Sequence, residues 1–256
     1  MTYQVGDIVT RESYHHDVVF VIVKIKNETA YLKGVFVRLE ADAPLEDLRK
    51  YESEERSIDD FMMDEEEEKP HDFFYLPGKI LHIDADLDYL KKCMKFYKRH
   101  QVKAIGKKIE EKEMPSKIYE LLVNYQPDIL IITGHDAYYP KKGNASNSSN
   151  YLNTKYFVSA VKEARRYEKS HDKLIIIAGA CQSNYEELIL AGANFASSPK
   201  RINIHCLDPA IIALNLAKTE RSEQVDLMKL LRKTKYGANG MGGIKCQGMM
   251  YVGFPR

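Results

Sequence analysis

The sequence predicts an α/β protein: a three-layer domain on a mostly parallel sheet, preceded by a small SH3-like β-barrel. Three observations lead there. Asp128-Ile-Leu-Ile-Ile-Thr and Lys173-Leu-Ile-Ile-Ile-Ala are continuous apolar runs ending at glycine turns, the pattern of strands buried on both faces of a parallel sheet. From Gly78 onward such runs alternate with amphipathic segments, with no hairpin signal between them. Before residue 50 the pattern differs: short β-branched runs are broken by turn residues, as in small barrels.

Taken in order, residues 1–50 are the predicted barrel. Val5-Gly-Asp-Ile-Val opens it, Asp17 to Ile25 is a long strand, Asn27 and Glu28 make a turn, and Ala30 to Leu39 supplies one or two further strands. Ala43 to Leu48 reads as one helical turn. Residues 51–77 are the predicted linker. Its Tyr51–Lys69 part holds the runs Glu-Ser-Glu-Glu-Arg and Asp64-Glu-Glu-Glu-Glu, which repel themselves and stay solvated. Residues 78–256 are the α/β domain. Lys79–Asp84 is its first strand. Asp86–His100 is a helix with Leu87, Leu90, Met94 and Tyr97 on one side and aspartates at its positive end. Val102–Ile105 is a strand, and Met114–Tyr125 a helix with Pro115 in its first turn. The two organising strands follow, separated by a loop over 138–150 and a helix over 151–168. Asn184–Ala191, Pro209–Ala217 and Ser222–Lys233 read as helices, Ala193–Ser198 as a strand, and the glycine-rich 236–248 as irregular.

Composition excludes more than it assigns. Of 256 residues, 44% are hydrophobic and 29% charged, ordinary for a globular chain, and the net charge of +1 offers no bulk attraction to nucleic acid or a membrane. No apolar run has membrane-spanning length and the N-terminus lacks a signal-peptide pattern, so an intracellular setting is expected. Cys93, Cys181, Cys206 and Cys246 show no CxxC spacing, so neither a disulfide framework nor a zinc site is expected.

The chemistry is predicted where the strands end. Open α/β sheets place their sites beyond the strands' carboxyl ends. Those ends carry Asp84 and Asp86, His135 and Asp136, Cys181 and Gln182, and Ser197 and Ser198. A cysteine nucleophile needs a base to make thiolate, and two parallel neighbours would hold His135 and Cys181 together. A lone cysteine in a strand-to-helix turn is usually a small core residue. Its pairing with a histidine in an equivalent context is harder to explain as packing. Cys93 falls within a helical pattern and Cys206 and Cys246 in loops, so these three are expected to be non-catalytic.

His135 precedes Cys181 by 46 residues, close to the ~50 of caspase-type proteases. The two strands resemble those of the caspase-hemoglobinase group of cysteine peptidases. The whole chain is similar to the YabG family of sporulation-specific proteases of endospore-forming bacteria. Ile80-Leu-His-Ile-Asp, Pro127 to Tyr138, Ala178-Gly-Ala-Cys-Gln-Ser and Gly192 to His205 carry that likeness. The resemblance implies a caspase-hemoglobinase-like fold and a cofactor-free cysteine endopeptidase cutting after basic residues, especially Arg. It implies protein substrates of the spore coat and cortex, and a place in the cytoplasm of the sporulating cell beside the developing coat. It departs from the wider group in having Asp136 where glycine usually follows the histidine.

On this reading His135 and Cys181 are catalytic, and the backbone N–H groups of Cys181, at the start of the next helix, and of Asp136 hold the oxyanion. An Arg pocket needs a carboxylate: Asp84 is the first candidate, Asp86 the second, with Asp136 and Asp208 behind them and Ser197 and Ser198 nearby. Any self-cleavage is expected to fall in the acidic linker or near Lys141 and Lys142. Two other classes compete. Asp84 and Asp86 could hold Mg²⁺ in a phosphate enzyme or receiver-like module, although no P-loop glycine pattern occurs. Alternatively the chain is a non-enzymatic coat scaffold binding through its barrel.

Overall fold

The computed structural model describes residues 3–51 and 72–255. The chain divides into two compact units, residues 1–65 and 66–256. The acidic linker expected over Tyr51–Lys69 lies almost wholly outside the described residues.

The N-terminal unit is a five-stranded antiparallel sheet. Its strands are β1 (Ile8–Arg11), β2 (Phe20–Lys26), β3 (Thr29–Gly34), β4 (Glu40–Pro44) and β5 (Leu48–Lys50), in the order β4-β3-β2-β1-β5. Asn27 and Glu28 both take left-handed φ (49° and 61°), the two-residue hairpin turn whose twist suits right-handed strands. Alternation then sends Val9, Phe20, Ile22, Ala30, Leu32 and Leu48 inward. The expected turn before β5 is a 3-10 turn, Leu45–Asp47. The first strand begins at Ile8, three residues later than the sequence pattern opens.

The larger unit opens with β6 (Phe74–Leu76) and β7 (Ile80–Asp84), then α1 (Leu87–Arg99), β8 (Ala104–Lys108), α2 (Met114–Tyr125) and β9 (Ile129–Thr133). It continues through α3 (Thr154–Tyr167), β10 (Ile175–Ala178), α4 (Tyr185–Leu190), β11 (Phe195–Ser197), α5 (Asp208–Lys218), α6 (Leu227–Arg232), β12 (Met241–Gly243) and β13 (Tyr251–Gly253). The main sheet runs β12-β11-β10-β9-β7-β8. All its neighbours are parallel except the edge strand β12 on β11. The chain order reverses between β7 and β9, the switch point where such sheets open a crevice.

Every residue of β7, β9 and β10 is buried, which accounts for the apolar runs of β9 and β10, while β7 carries His82 and Asp84 inside the sheet. Leu81, Ile83, Leu130, Ile132, Ile176 and Ala178 pack with Ile118 and Leu122 of α2, Phe157 and Val161 of α3, and Leu188 of α4. Helices α1 and α5 pack with each other, α1 against β7 and β8 and α5 against β9 and β10, completing the third layer. Each such leucine, isoleucine, valine or phenylalanine side chain contributes roughly 1.5–3 kcal/mol of burial free energy.

Three segments differ from the sequence expectation. Phe74–Leu76, inside the expected linker, is a strand paired with β13. The glycine-rich 236–248, expected to be irregular, supplies β12, and β13 follows it. Its composition hid the edge strand: a Cβ on Gly243 would stand 2.5 Å from the Asn194 carbonyl and the Phe195 ring, so only glycine lets β12 approach β11. The last helix is confined to Leu227–Arg232, started by Asp226 capping the Lys229 N–H.

Candidate active site

β9 and β10 pair in register from Ile129↔Ile175 to Ile132↔Ala178. His135 and Cys181 therefore leave neighbouring strands at the same carboxyl edge. β7 pairs with β9 through Asp84↔Thr133, which brings Asp86 to the same edge.

His135 sits between two carboxylates. Its Nε2 is 3.8 Å from Asp86 Oδ2 and its Nδ1 is 3.6 Å from Glu111 Oε1. The Glu111 oxygen also accepts the His135 backbone N–H at 2.7 Å. The His135 carbonyl accepts from Asn153 Nδ2, and the Tyr89 ring lies 6.2 Å away, tilted 55°. Glu111 belongs to a 3-10 turn between β8 and α2. Burial would raise its pKa, but hydrogen bonding from His135 outweighs it and leaves the carboxyl below its ordinary value. Gly134 is required by this contact: a Cβ there would meet Glu111 Oε1 at 2.6 Å and Ala85 at 3.1 Å.

Cys181 is 1% exposed. Its Sγ lies 3.8 Å from the Ile204 carbonyl, to which the thiol donates, and 3.4 Å from the Ile204 N–H, which donates to sulfur. The turn carrying it is pinned on each side. Ser183 Oγ accepts the Ala180 N–H, while the Gln182 N–H, at a left-handed φ of 58°, donates to Ser198 Oγ and the Ile202 carbonyl. No hydrogen bond joins His135 to the Cys181 thiol. Helix α4 begins four residues beyond Cys181, so the nucleophile candidate does not stand at a helix N-terminus as expected.

The remaining predicted site residues divide sharply. Asp84 is fully buried: its carboxylate accepts Thr133 Oγ1 at 2.9 Å and the Asp86 N–H at 2.9 Å, 3.8 Å from His82 Nε2. His82 lies between Tyr97 OH (2.9 Å) and Thr133 Oγ1 (3.2 Å), giving a buried polar chain Tyr97–His82–Thr133–Asp84. Asp84 thus ties the ends of β7 and β9 together. Asp86 caps α1 through Oδ1, accepting from Asp88 and Tyr89 N–H, while Oδ2 faces His135.

Asp136 is also inward-facing, and its carboxylate ties together three chain segments. It accepts from the Ala137 and Asn153 N–H groups, Thr154 Oγ1 and Ser183 Oγ. Burial nevertheless raises its pKa above the ordinary aspartate value, those hydrogen bonds opposing the rise only in part. Its own backbone N–H meets no acceptor among the described residues. Ser197 and Ser198 are fully buried, and Ser198 Oγ donates to the Ile202 carbonyl at 2.6 Å. Asp208, fully buried, accepts the His205 and Lys235 N–H groups. Each of these three was a candidate substrate contact, and each is buried in this structure.

The other three thiols, like that of Cys181, are buried. Cys93 and Cys206 are buried, with Cys93 Sγ donating to the Cys206 carbonyl, and burial pushes the Cys246 thiol up to about 12. Glu111 was missed by sequence reasoning because it stands in the charged run Glu110-Glu-Lys-Glu113, where nothing marks one carboxylate as inward.

Among the described residues, no cluster of three or more His, Cys, Asp and Glu side chains could hold a metal, and no helix is long and apolar enough to cross a membrane. The family model described as YabG peptidase U57 matches residues 4–70 and 53–255. The sporulation-specific protease YabG of Bacillus subtilis (strain 168) is 40% identical, over 100% of this chain and 99% of that protein. With a family match and a relative that both run the length of the polypeptide, the chain belongs to the YabG peptidase family and is a sporulation-associated protease.

Proposed function

We propose that the chain is a cysteine endopeptidase with Cys181 as nucleophile and His135 as general base and acid, on a caspase-hemoglobinase-like domain preceded by an SH3-like barrel. The supporting observation is the parallel register of β9 and β10, which brings His135 and Cys181 to the carboxyl ends of adjacent strands. His135 takes the thiol proton, and the thiolate attacks the peptide carbonyl. The tetrahedral intermediate expels the amine as His135 returns the proton, leaving a thioester. Water then adds to the thioester carbonyl, giving a proton to His135, and the thiol leaves with the new acid released. The Asp136 N–H, without an acceptor at present, and the Cys181 N–H hold the oxyanion.

The Arg-recognising carboxylate is Asp86, the half of the predicted pair that reaches the His135 side of the edge. The substrates are spore coat and cortex-associated proteins, the chain itself among them, met in the cytoplasm of the sporulating cell at the developing coat. No cofactor enters this mechanism. Because the thiol is shielded, substrate entry requires the segment around Ile204 to draw back from it.

A Mg²⁺-dependent reading of Asp84 and Asp86 is disfavoured by their hydrogen bonds, since one carboxylate is buried on Thr133 and the other caps α1. The test is incubation of the wild type, Cys181→Ala and His135→Ala with a denatured protein mixture, and mapping of the new termini. Both variants should be inactive, and wild-type cuts should follow Arg and survive chelator. Near-normal turnover by Cys181→Ala would refute the nucleophile. Wild-type cuts spread over all residue types would refute the specificity.

A further inference from the structure

Resting on the Cys181–His135 reading, we propose that Glu111 is the positioning residue of the pair: it fixes the tautomer of His135 by holding Nδ1–H, so that the Nε2 lone pair is the one offered to the thiol.

A histidine base works only if the proton is on the far nitrogen, and that is decided by the partner the far nitrogen keeps. Glu111 Oε1 stands 3.6 Å from Nδ1 while gripping the backbone N–H of the same residue at 2.7 Å. The two contacts fix both the ring and the chain that carries it. Closing the longer one to hydrogen-bond range takes about 0.5 Å, an ordinary tightening between a resting site and its substrate complex. The carboxylate is backed by Gly134, whose missing Cβ makes the room it occupies. The turn carrying Glu111 is itself held, since the Ile109 N–H donates to the Asp84 carbonyl and the Glu113 and Met114 N–H groups to the Glu110 carbonyl.

The other groups facing the ring do not fill this role. Asp86 Oδ2 approaches Nε2, the nitrogen that must exchange a proton, so it competes with the thiol instead of orienting the ring. Asp136 turns its carboxylate toward Thr154 and Ser183. Tyr89 presents a tilted ring at 6.2 Å. Lys108, paired with Glu110, feels Glu111 only at longer range.

The test uses ¹⁵N-histidine NMR on full-length protein, with Cys181→Ala throughout to prevent self-cleavage and His135→Ala to assign the signal. In the Glu111 form, neutral His135 should show a pyrrole-type Nδ1 and a pyridine-type Nε2. In Glu111→Gln the two nitrogens should move toward a mixture. In the active enzyme, Glu111→Gln should lower kcat about 10²-fold with KM changed no more than about twofold, and Glu111→Asp should recover part of the loss. A wild-type signal from the Nε2–H tautomer would overturn the proposal. So would a Glu111→Gln spectrum identical to it, or a loss confined to KM. Cleavage by Cys181→Ala would instead refute the nucleophile, leaving the spectra of Glu111 readable by themselves.

Discussion

Asp136 Oδ2 accepts a hydrogen bond from Ser183 Oγ at 2.8 Å, so the residue after His135 is tied to the second residue after Cys181. The Ser183 oxygen in turn accepts the Ala180 N–H. Two loops leaving different strands are thus locked through one carboxylate, which also accepts the Asn153 N–H and Thr154 Oγ1 at the start of α3. Asp136→Ala strands four donors in a buried place and should cost about 3 kcal/mol, a fall in Tm of roughly 6–12 °C. Thermal unfolding checks this; a Tm within a degree or so of wild type would contradict it.

Acid stability carries two opposing contributions. Glu111 has a folded pKa below its ordinary 4.5, so its stabilisation is present above that value and is lost as pH falls through the lower folded one. Asp136 has a folded pKa above its ordinary 3.8, so its contribution is complete below 3.8 and is lost as pH rises through the higher folded value. Denaturant titrations across this acid range should therefore show a shallower acid loss in Glu111→Gln. In Asp136→Asn they should show a steeper loss on acidification, with the opposing slope gone. Identical pH slopes in all three proteins would contradict both assignments.

Asp84 and Asp86 should separate into brace and specificity residue. Asp84→Asn disturbs a fully buried acceptor of Thr133 Oγ1 and should lower stability by about 2–4 kcal/mol without changing the order of preferred cleavage sites. Asp86→Asn keeps a good cap and should preserve Tm while reducing cleavage after Arg by on the order of 10². Site profiling on peptide libraries decides between them. An unaltered Arg preference in Asp86→Asn would remove it from the pocket.

The shielding of sulfur predicts slow chemistry in the resting protein. All four cysteines are buried, so alkylation followed by peptide mass spectrometry should find Cys181 reacting orders of magnitude more slowly than a free thiol. Ile204→Ala, which loosens the covering segment, should accelerate labelling of Cys181 and leave Cys93 unchanged. Labelling of wild-type Cys181 at the free-thiol rate would show that the covering contact does not persist in solution.

The buried strands were legible because burial on both faces leaves an unbroken apolar run, and Ile129–Thr133 and Ile175–Ala178 fall inside the predicted segments. Helix α2 matches its predicted ends because Pro115 and the turn at Gln126 mark them locally. Strand β12 was not legible, because its glycines answer to the side chains of Phe195 and Tyr185, distant in sequence. In the candidate site, the strand ends pointed to His135, Cys181 and the aspartates. Which carboxylate faces inward is a property of assembly: Asp84 and Asp86 look equivalent in the sequence, yet Thr133 claims the first and α1 the second. Glu111 reaches His135 from a turn beyond the edge strand, a pairing that exists only once β8 docks on β7.

The backbone of Ile204 meets the Cys181 sulfur with both its donor and its acceptor, so the sulfur is stored with weak partners instead of waiting at the surface. For an enzyme built this way, an opening equilibrium multiplies every chemical rate constant. Turnover then inherits the steep temperature dependence of a structural transition, and substrates compete by how well they hold the protein open as well as by how well they fit. The same closed population would limit self-digestion of a chain rich in lysine and arginine, and would keep its sulfur from oxidants while no substrate is near.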